Sequence, residues 1–171
     1  MTDWTAIVAE HGPRVWRVAY RVLADHADAL DCYQETFLAA HRSAPGVAVR
    51  DWGAYLVALA ARRAIDRLRE RTRVRALVTA LESVPAPAAR GPGPADQAAA
   101  AELMDRVRRA LVHLPDRQAE VFWVACVEGV PHDRIADQMR VTPGAVRVLL
   151  HRARAGLAEA LAPTPTERTD S

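Results

Sequence analysis

The sequence contains no lysine and no asparagine, so all 23 of its basic residues other than histidine are arginines. A coding bias towards G and C accounts for both absences. A functional reason is compatible with that bias, because arginine binds phosphate and guanine through a planar fork that lysine lacks. The net charge of +2 is small, and only 5% of the residues are aromatic. The placement of the arginines is therefore more informative than their number.

Long apolar runs are also missing. No uninterrupted stretch of about 18 apolar residues exists, which excludes a transmembrane helix. The first residues lack the basic and apolar segments of a signal peptide, so the chain is predicted to be cytoplasmic. Cys32 and Cys126 lie far apart in apolar helical patterns, which predicts two buried free thiols rather than a disulfide or a metal site.

Signs of catalysis are absent as well. The only glycine-rich segment, Gly91-Pro92-Gly93, lacks the strand, helix and lysine of a phosphate-binding loop. The six histidines are scattered, and no Ser/His/Asp or Cys/His group shows catalytic spacing. The sequence therefore predicts a protein that is not an enzyme and that holds no cofactor and no metal.

The remaining composition, rich in Ala, Leu, Arg and Glu, favours helices. It predicts an all-α fold of two small helical domains joined by a flexible Pro/Gly/Ala linker. A polar, disordered tail is predicted to follow the second domain. The predicted boundaries are 1–76 for the first domain, 77–100 for the linker, 101–162 for the second domain and 163–171 for the tail.

Local signals refine the first domain. Gly12-Pro13 predicts a break in the first helix. The second helix is predicted from about 28 to 42, and a third begins after Asp51, whose carboxylate is a plausible N-cap. This third helix is predicted to end near Arg75.

A helix-turn-helix is predicted over residues 131–155. Thr142 and Pro143 are typical of an N-cap followed by the first helical position, and Val146 with Leu150 begins a buried apolar stripe. The second helix of such a motif lies in the major groove of DNA. Arg140 occupies the turn between the two helices. The residues predicted to face DNA are Thr142, Arg147, Val148, His151 and Arg152.

Charge is separated along the chain. An acidic stretch from Asp25 to Glu35 contains no arginine, whereas residues 62–75 carry seven arginines opposed by two acids. A second basic cluster, over residues 140–154, contains no acid. Two separate basic clusters predict two contacts with a polyanion such as DNA.

These segments resemble a known family. Residues 28–38 resemble region 2.2 of bacterial RNA polymerase sigma factors, and residues 54–69 resemble regions 2.3 and 2.4. Leu114-Pro115 and the motifs that follow, as far as Arg154, resemble region 4. Two such domains without the other sigma regions are similar to the extracytoplasmic-function (ECF) type of the sigma-70 family.

The resemblance implies a sigma factor that binds core RNA polymerase, recognises the −10 and −35 promoter elements and melts the −10 element. It assigns docking on the β′ clamp helices to Asp31, Gln34, Glu35 and Leu38. It assigns contact with the −10 element to Arg50, Arg62, Arg63, Arg67 and Arg69, and it places a flipped base in the loop 44–50. The helix-turn-helix residues named above are assigned to the −35 element, with the second domain on the β flap. Whether an anti-sigma factor also binds is left open.

Departures from the family pattern leave an alternative. Leu30 replaces a usual Glu and Arg62 a usual Asn, while Val148 and Leu149 stand where polar residues are common. Arg140 replaces a usual Gly, so it is expected to adopt positive φ. Val148 can touch a thymine methyl but offers no hydrogen bond, so recognition of the −35 element is expected to be weak or unusual. The alternative is a helix-turn-helix regulator, or a degenerate sigma-like adaptor, without initiation activity.

Overall fold

The computed structural model describes residues 2–44, 49–82 and 95–162, and every regular element in these ranges is helical. The all-α prediction is confirmed. None of these helices is long and apolar enough to cross a membrane. The helices are α1 (Trp4–Leu23), α2 (His26–Ser43), α3 (Trp52–Glu82), α4 (Ala95–Leu111), α5 (Asp116–Phe122), α6 (His132–Met139) and α7 (Pro143–Leu161).

Helices α1, α2 and α3 pack on one another to form an N-terminal bundle. Short polar side chains set two of the helix starts, because each satisfies an otherwise free backbone N–H. Asp25 Oδ1 accepts from the Asp28 amide at 2.9 Å, and Asp51 Oδ1 accepts from the Ala54 amide at 2.9 Å. The predicted N-cap at Asp51 is therefore confirmed.

The predicted break at Gly12-Pro13 is wrong, because α1 continues through Pro13 to Leu23. Proline removes one backbone donor, but buried side chains in the flanking turns, including Val15 and Val18, hold the helix against the bundle. A Cβ added to Gly12 would lie 2.9 Å from the Tyr33 hydroxyl oxygen, so the small residue allows α1 and α2 to approach closely.

The predicted linker is too long at both ends. Helix α3 continues to Glu82 and α4 already begins at Ala95. Residues 77–82 contain no proline or glycine and are mostly good helix formers, so nothing local ends the helix there. The middle of the predicted linker, part of the predicted base-flipping loop and the predicted tail lie outside the described residues.

Helices α4 to α7 form a C-terminal bundle that contains the predicted helix-turn-helix. Ala136 and Val146 are buried where α6 and α7 cross, and Thr142 Oγ1 accepts from the Ala145 amide at 3.1 Å. Arg140 has φ of 52°, as expected for the turn, and Gly129 has φ of 66° before α6. The helix-turn-helix prediction is confirmed in these particulars.

One turn of the C-terminal bundle departs from α-helical geometry. Residues Trp123–Val127 form a π-helical turn, which places an extra residue in the turn after α5. Cys126 is exposed there, so its predicted burial is wrong, whereas Cys32 is buried as predicted. Both thiols are free, and burial raises the pKa of Cys32 to about 11.

The two bundles pack against each other, and their buried residues form one continuous apolar cluster. Helix α3 reaches across, because it contacts α1 and α2 on one side and α5, α6 and the π-helical turn on the other. The predicted division into two domains thus corresponds to two bundles, and the long helix α3 packs against both.

The left-handed conformation of Arg140 predicts a stability effect. We expect Arg140→Gly to raise the free energy of unfolding by roughly 0.5–1 kcal/mol, because glycine removes the Cβ strain but loses more backbone entropy on folding. Urea unfolding followed by circular dichroism measures the change. Ala24 also has positive φ, at 50°, so Ala24→Gly is a second test and is expected to raise the free energy of unfolding as well. A loss of stability in both variants would contradict the strain argument.

Candidate nucleic-acid interface

The residues predicted to bind polymerase share one exposed face of α2. Asp31, Gln34, Glu35 and Leu38 lie at helical spacing and are all exposed, Leu38 by 55%. Leu30, one of the departures from the family pattern, is 42% exposed and lies one helical turn from Gln34. We call Asp31, Gln34, Glu35 and Leu38 the docking face.

Two predicted −10 arginines contact this docking face from α3. Arg67 Nη2 lies 3.4 Å from Asp31 Oδ2 and 3.6 Å from Glu35 Oε1, and Arg67 Nη1 donates to the Asp28 carbonyl at 3.1 Å. Arg63 Nη1 lies 3.5 Å from Glu35 Oε2. These pairs are partly exposed, so each contributes at most about 1 kcal/mol. The acidic and basic clusters of the sequence are therefore neighbours in the fold.

Arg71 continues the same row, although the sequence analysis did not select it. Its Nη1 lies 2.9 Å from Asp28 Oδ2, and its Nη2 donates to the Leu23 carbonyl at 2.9 Å. The spacing of Arg63, Arg67 and Arg71, four residues apart, places all three on one side of α3. This spacing could have placed Arg71 beside Arg63 and Arg67 from the sequence alone.

Arg69 points the other way, into the C-terminal bundle. Its Nη2 donates to the Leu114 carbonyl at 2.6 Å, its Nε to the Val112 carbonyl at 3.4 Å and its Nη1 to Asp116 Oδ1 at 2.5 Å. Its side chain is only 15% exposed. We call this set of contacts with the α4–α5 turn the Arg69 clamp. Arg69, which was predicted to contact DNA, thus donates three hydrogen bonds from one bundle to the other.

Arg62 lies on the same side of α3 as Arg69, two turns earlier, and approaches Glu120 of α5. Glu120 is half-buried between the bundles. Its burial raises its pKa, and the positive charges of Arg62 and Arg117 oppose that rise in part. A partly buried carboxyl beside an arginine is not expected on a surface that only binds DNA, because its ionised form would repel phosphate.

A second set of contacts joins α1 to the π-helical turn, and sequence reasoning missed it. The Glu128 side chain is 5% exposed, and its Oε1 lies 3.6 Å from Arg21 Nη1. Arg14 Nη2 donates to the Glu128 carbonyl at 3.1 Å. Arg14 and Arg21 are seven residues apart, so they share one face of α1, but nothing in the sequence identifies Glu128 as their partner.

Two further contacts between the bundles involve Arg108 and Arg134. Arg108 Nε donates to the Arg21 carbonyl at 2.8 Å, which links α4 to the end of α1. Arg134 Nη1 lies 3.8 Å from Asp51 Oδ2, the carboxylate that caps α3. The bundles are therefore held by charged contacts at several separate points around their common apolar cluster.

The predicted −35 residues form an exposed face of α7, which we call the reading face. Arg147, Val148, His151 and Arg152 are all exposed, and none of them belongs to an ion pair in the described part of the chain. Thr142 is exposed too, although its hydroxyl oxygen caps α7. This face is free to meet a partner, in contrast to Arg63, Arg67 and Arg69 of α3.

Arg50 is exposed beside the start of α3, where an aromatic group lies. The Trp52 ring packs edge-on against Trp4 at 5.2 Å and against Tyr55 at 5.9 Å. All three rings are half-buried and pack on the apolar cluster. Trp52 therefore belongs to the packing of the N-terminal bundle. Most of the adjoining loop lies outside the described residues.

Comparison with known proteins matches both bundles to one family. Residues 7–74 match the family model described as "Sigma-70 region 2", and residues 104–157 match the model "Sigma-70, region 4". The two matches follow the two bundles closely, and they include both basic clusters except Arg75.

Two curated relatives align along nearly the whole chain. The chain is 30% identical to the ECF RNA polymerase sigma factor SigE of Mycolicibacterium smegmatis, covering all of this chain and 66% of that protein. It is 32% identical to the RNA polymerase sigma factor CarQ of Myxococcus xanthus, covering 91% of this chain and 87% of that protein. This chain therefore spans just under two thirds of the SigE relative.

A solved structure shares the fold. The sigma factor RpoE of Bartonella quintana, solved with the anti-sigma factor NepR, superposes with a TM-score of 0.56. The match covers 94% of this chain and 98% of that one, at 20% sequence identity. The likeness therefore concerns the fold of the two helical bundles.

The position of Glu120 predicts a pH effect. Because burial raises its pKa above 4.5, the stability contributed by its protonated form is lost as the pH rises through the raised value. Glu120→Gln keeps a neutral side chain at every pH. Its gain in free energy of unfolding over the parent chain is expected to be small near pH 4 and larger near pH 8.

Urea unfolding of both chains across this range measures the effect, with Glu102→Gln on α4 as the exposed control. A difference between Glu120→Gln and the parent that stays constant with pH would contradict the assigned burial.

Proposed function

Because the chain belongs to the ECF type of the sigma-70 family of RNA polymerase sigma factors, we propose that it binds core RNA polymerase and directs initiation at specific promoters by contacting both the −10 and the −35 elements. The observation that carries the proposal is the pairing of two unlike surfaces in one chain. The N-terminal bundle presents the docking face, with two carboxylates, and the C-terminal bundle presents the basic reading face.

The docking face supports the contact with polymerase. Its two carboxylates would repel DNA and would attract a basic protein surface such as the proposed β′ clamp helices. Leu38 supplies an exposed apolar centre between polar neighbours, which is the composition of a protein interface rather than of a DNA contact. The C-terminal bundle is proposed to sit on the β flap.

The reading face supports the contact with the −35 element. The N-terminal part of α7 carries Arg147 and Val148, at the end of the helix that enters the major groove in such motifs. Arg147 can form a bidentate pair with guanine, worth roughly 1–3 kcal/mol of discrimination, and Val148 can contact a thymine methyl. His151 and Arg152 lie one turn further and suit the phosphate backbone.

The arginines of α3 and Arg50 are proposed to contact the −10 element. Arg62 and Arg69 lie on one side of α3, while Arg63 and Arg67 lie on the side that meets α2. Phosphate contacts by such residues give sequence-independent affinity that falls as salt rises. The same bundle is proposed to receive a flipped base in the loop before α3, which offsets the few kcal/mol needed to unstack it.

The chain is proposed to have no catalytic activity of its own, in keeping with a regulatory subunit that acts with polymerase in the cytoplasm. An anti-sigma factor is a further candidate partner, since the RpoE protein with the same fold is described in a complex with one.

Transcription in vitro tests the proposal. Core polymerase with and without the chain is incubated with genomic fragments selected by binding to the complex, and the transcript starts are mapped. The expected result is initiation at a limited set of positions only when the chain is present. Binding of DNA without binding of core, and without any start, would instead support the regulator or adaptor alternative.

The docking face predicts a specific loss. Replacing Asp31, Gln34 and Glu35 together with alanine is expected to weaken the affinity for core at least about tenfold, because charge complementarity is removed while the exposed pairs contribute little to folding. The control carries alanine at Glu10, Glu102 and Gln118, which removes the same charge elsewhere. Fluorescence anisotropy with labelled chain measures both. If the triple variant and the control bind core with equal affinity, the proposed docking of α2 on polymerase is contradicted.

A further inference from the structure

A basic cleft lies between α3, α4 and the end of α1. Its volume is about 450 Å³, which is typical of sites that bind small molecules. Five basic side chains and one carboxylate line it: Arg71, Arg75, Arg108, Arg109, His113 and Asp105. None of these residues belongs to the docking face, to the reading face or to the arginines assigned to the −10 element. The proposed function therefore leaves this cleft without a role.

Helical spacing brings the charged groups to the cleft from two walls. Arg71 and Arg75 are four residues apart on α3, so they share one face of that helix. On α4, Asp105, Arg109 and His113 follow one another at the same interval. Because both walls carry an excess of basic groups, their fields add in the space between them and concentrate anions there.

Two of the arginines already have acceptors in the fold. Arg71 Nη1 lies 2.9 Å from Asp28 Oδ2, on the side of α3 that meets α2. Arg108 is only 17% exposed, donates to the Arg21 carbonyl at 2.8 Å and pairs with Asp105. The one carboxylate of the cleft is therefore already paired with an arginine, and these contacts fix the shape of the walls.

The other two arginines, Arg75 and Arg109, have no such acceptors. Both are exposed, and neither forms an ion pair or a hydrogen bond within residues 2–44, 49–82 and 95–162. His113 is exposed beside them on α4. One wall thus offers a free guanidinium, and the opposite wall offers a guanidinium and an imidazole. Each guanidinium can donate two parallel hydrogen bonds to a phosphate group.

We propose that this cleft binds a small polyphosphate anion, of the chemistry shared by inorganic oligophosphates and nucleoside triphosphates, with Arg75 and Arg109 as its phosphate ligands. A chain of linked phosphates suits the cleft better than a single phosphate, because it presents oxygen atoms to both walls at once. The proposal does not depend on the proposed function, so failure of the transcription experiment leaves it standing.

The floor of the cleft favours a small ligand over a nucleic acid. Leu23 and Leu68 are buried there, and Val112 is half-buried. An apolar floor under a charged rim is the composition of a small-molecule site, where it can also hold the flat base of a nucleotide. A DNA duplex is too wide to enter the cleft and would touch only its rim.

Calorimetric titration of the full chain tests the proposal, with inorganic tripolyphosphate, ATP and orthophosphate as separate probes. The variant combines Arg75→Gln and Arg109→Gln. The matched control combines Arg17→Gln and Arg42→Gln, which remove the same charge from exposed positions on α1 and α2. A random-sequence DNA duplex, followed by fluorescence anisotropy, is the macromolecular probe.

The expected result is that the parent chain binds tripolyphosphate and ATP, and that the variant binds both at least about tenfold more weakly, because two charge-assisted contacts are lost. The control is expected to equal the parent. Equal affinities for tripolyphosphate and ATP would assign the site to the phosphate chain alone. Tighter binding of ATP would assign it to a nucleotide whose base lies on the apolar floor.

Four results overturn the proposal: no binding by the parent, equal affinity in parent and variant, an equal loss in the control, or orthophosphate binding as tight as that of tripolyphosphate. A loss of duplex affinity in the variant as large as the loss for tripolyphosphate also overturns it, because the arginines would then serve nucleic acid. If the variant unfolds at a lower temperature than the parent, Arg109→Gln alone is titrated, and unchanged affinity there contradicts the site.

Discussion

The structure depends on how the arginines of α3 find acceptors. This helix carries basic side chains on two sides, and each side meets an element that supplies oxygen atoms. Arg63, Arg67 and Arg71 lie against the carboxylates and carbonyls of α2 and the end of α1, while Arg69 lies against the α4–α5 turn. These arginines therefore stabilise the fold itself, because half-buried guanidinium groups without acceptors would destabilise it.

This constraint links packing to function. The N-terminal bundle contributes both the docking face and the arginines that contact it, so binding of polymerase to α2 would compete with Arg67 for Asp31 and Glu35. On the other side of α3, the α4–α5 turn binds Arg69, while Arg62 stays exposed. The proposed contacts with polymerase and with the −10 element therefore involve neighbouring side chains of α2 and α3.

Much of the fold could be predicted because its determinants are local. Asp51 and Thr142 act as caps, Arg140 adopts positive φ, and the apolar spacing of α7 places Val146 and Leu150 in the core. The failures have physical reasons too. Tertiary packing carries α1 through Pro13, and Cys126 is exposed in a π-helical turn that no sequence signal marks.

The candidate site was only partly accessible to sequence reasoning. The resemblance selected the docking face, and helical spacing exposed the reading face of α7. Both sets of side chains are exposed, and their roles with polymerase and promoter stay predictions. The contact of Arg69 with Asp116 joins residues 47 positions apart, and that of Arg14 with Glu128 joins residues 114 apart. Such partners follow from how the bundles meet, which neither propensity nor periodicity specifies.

Amide hydrogen exchange on the full chain, with and without core RNA polymerase, tests most directly whether α2 presents the proposed docking face. The account predicts that core slows exchange along α2 around Asp31 and Glu35, because polymerase would cover the exposed carboxylates there. Exchange along α2 that core leaves unchanged would contradict the account.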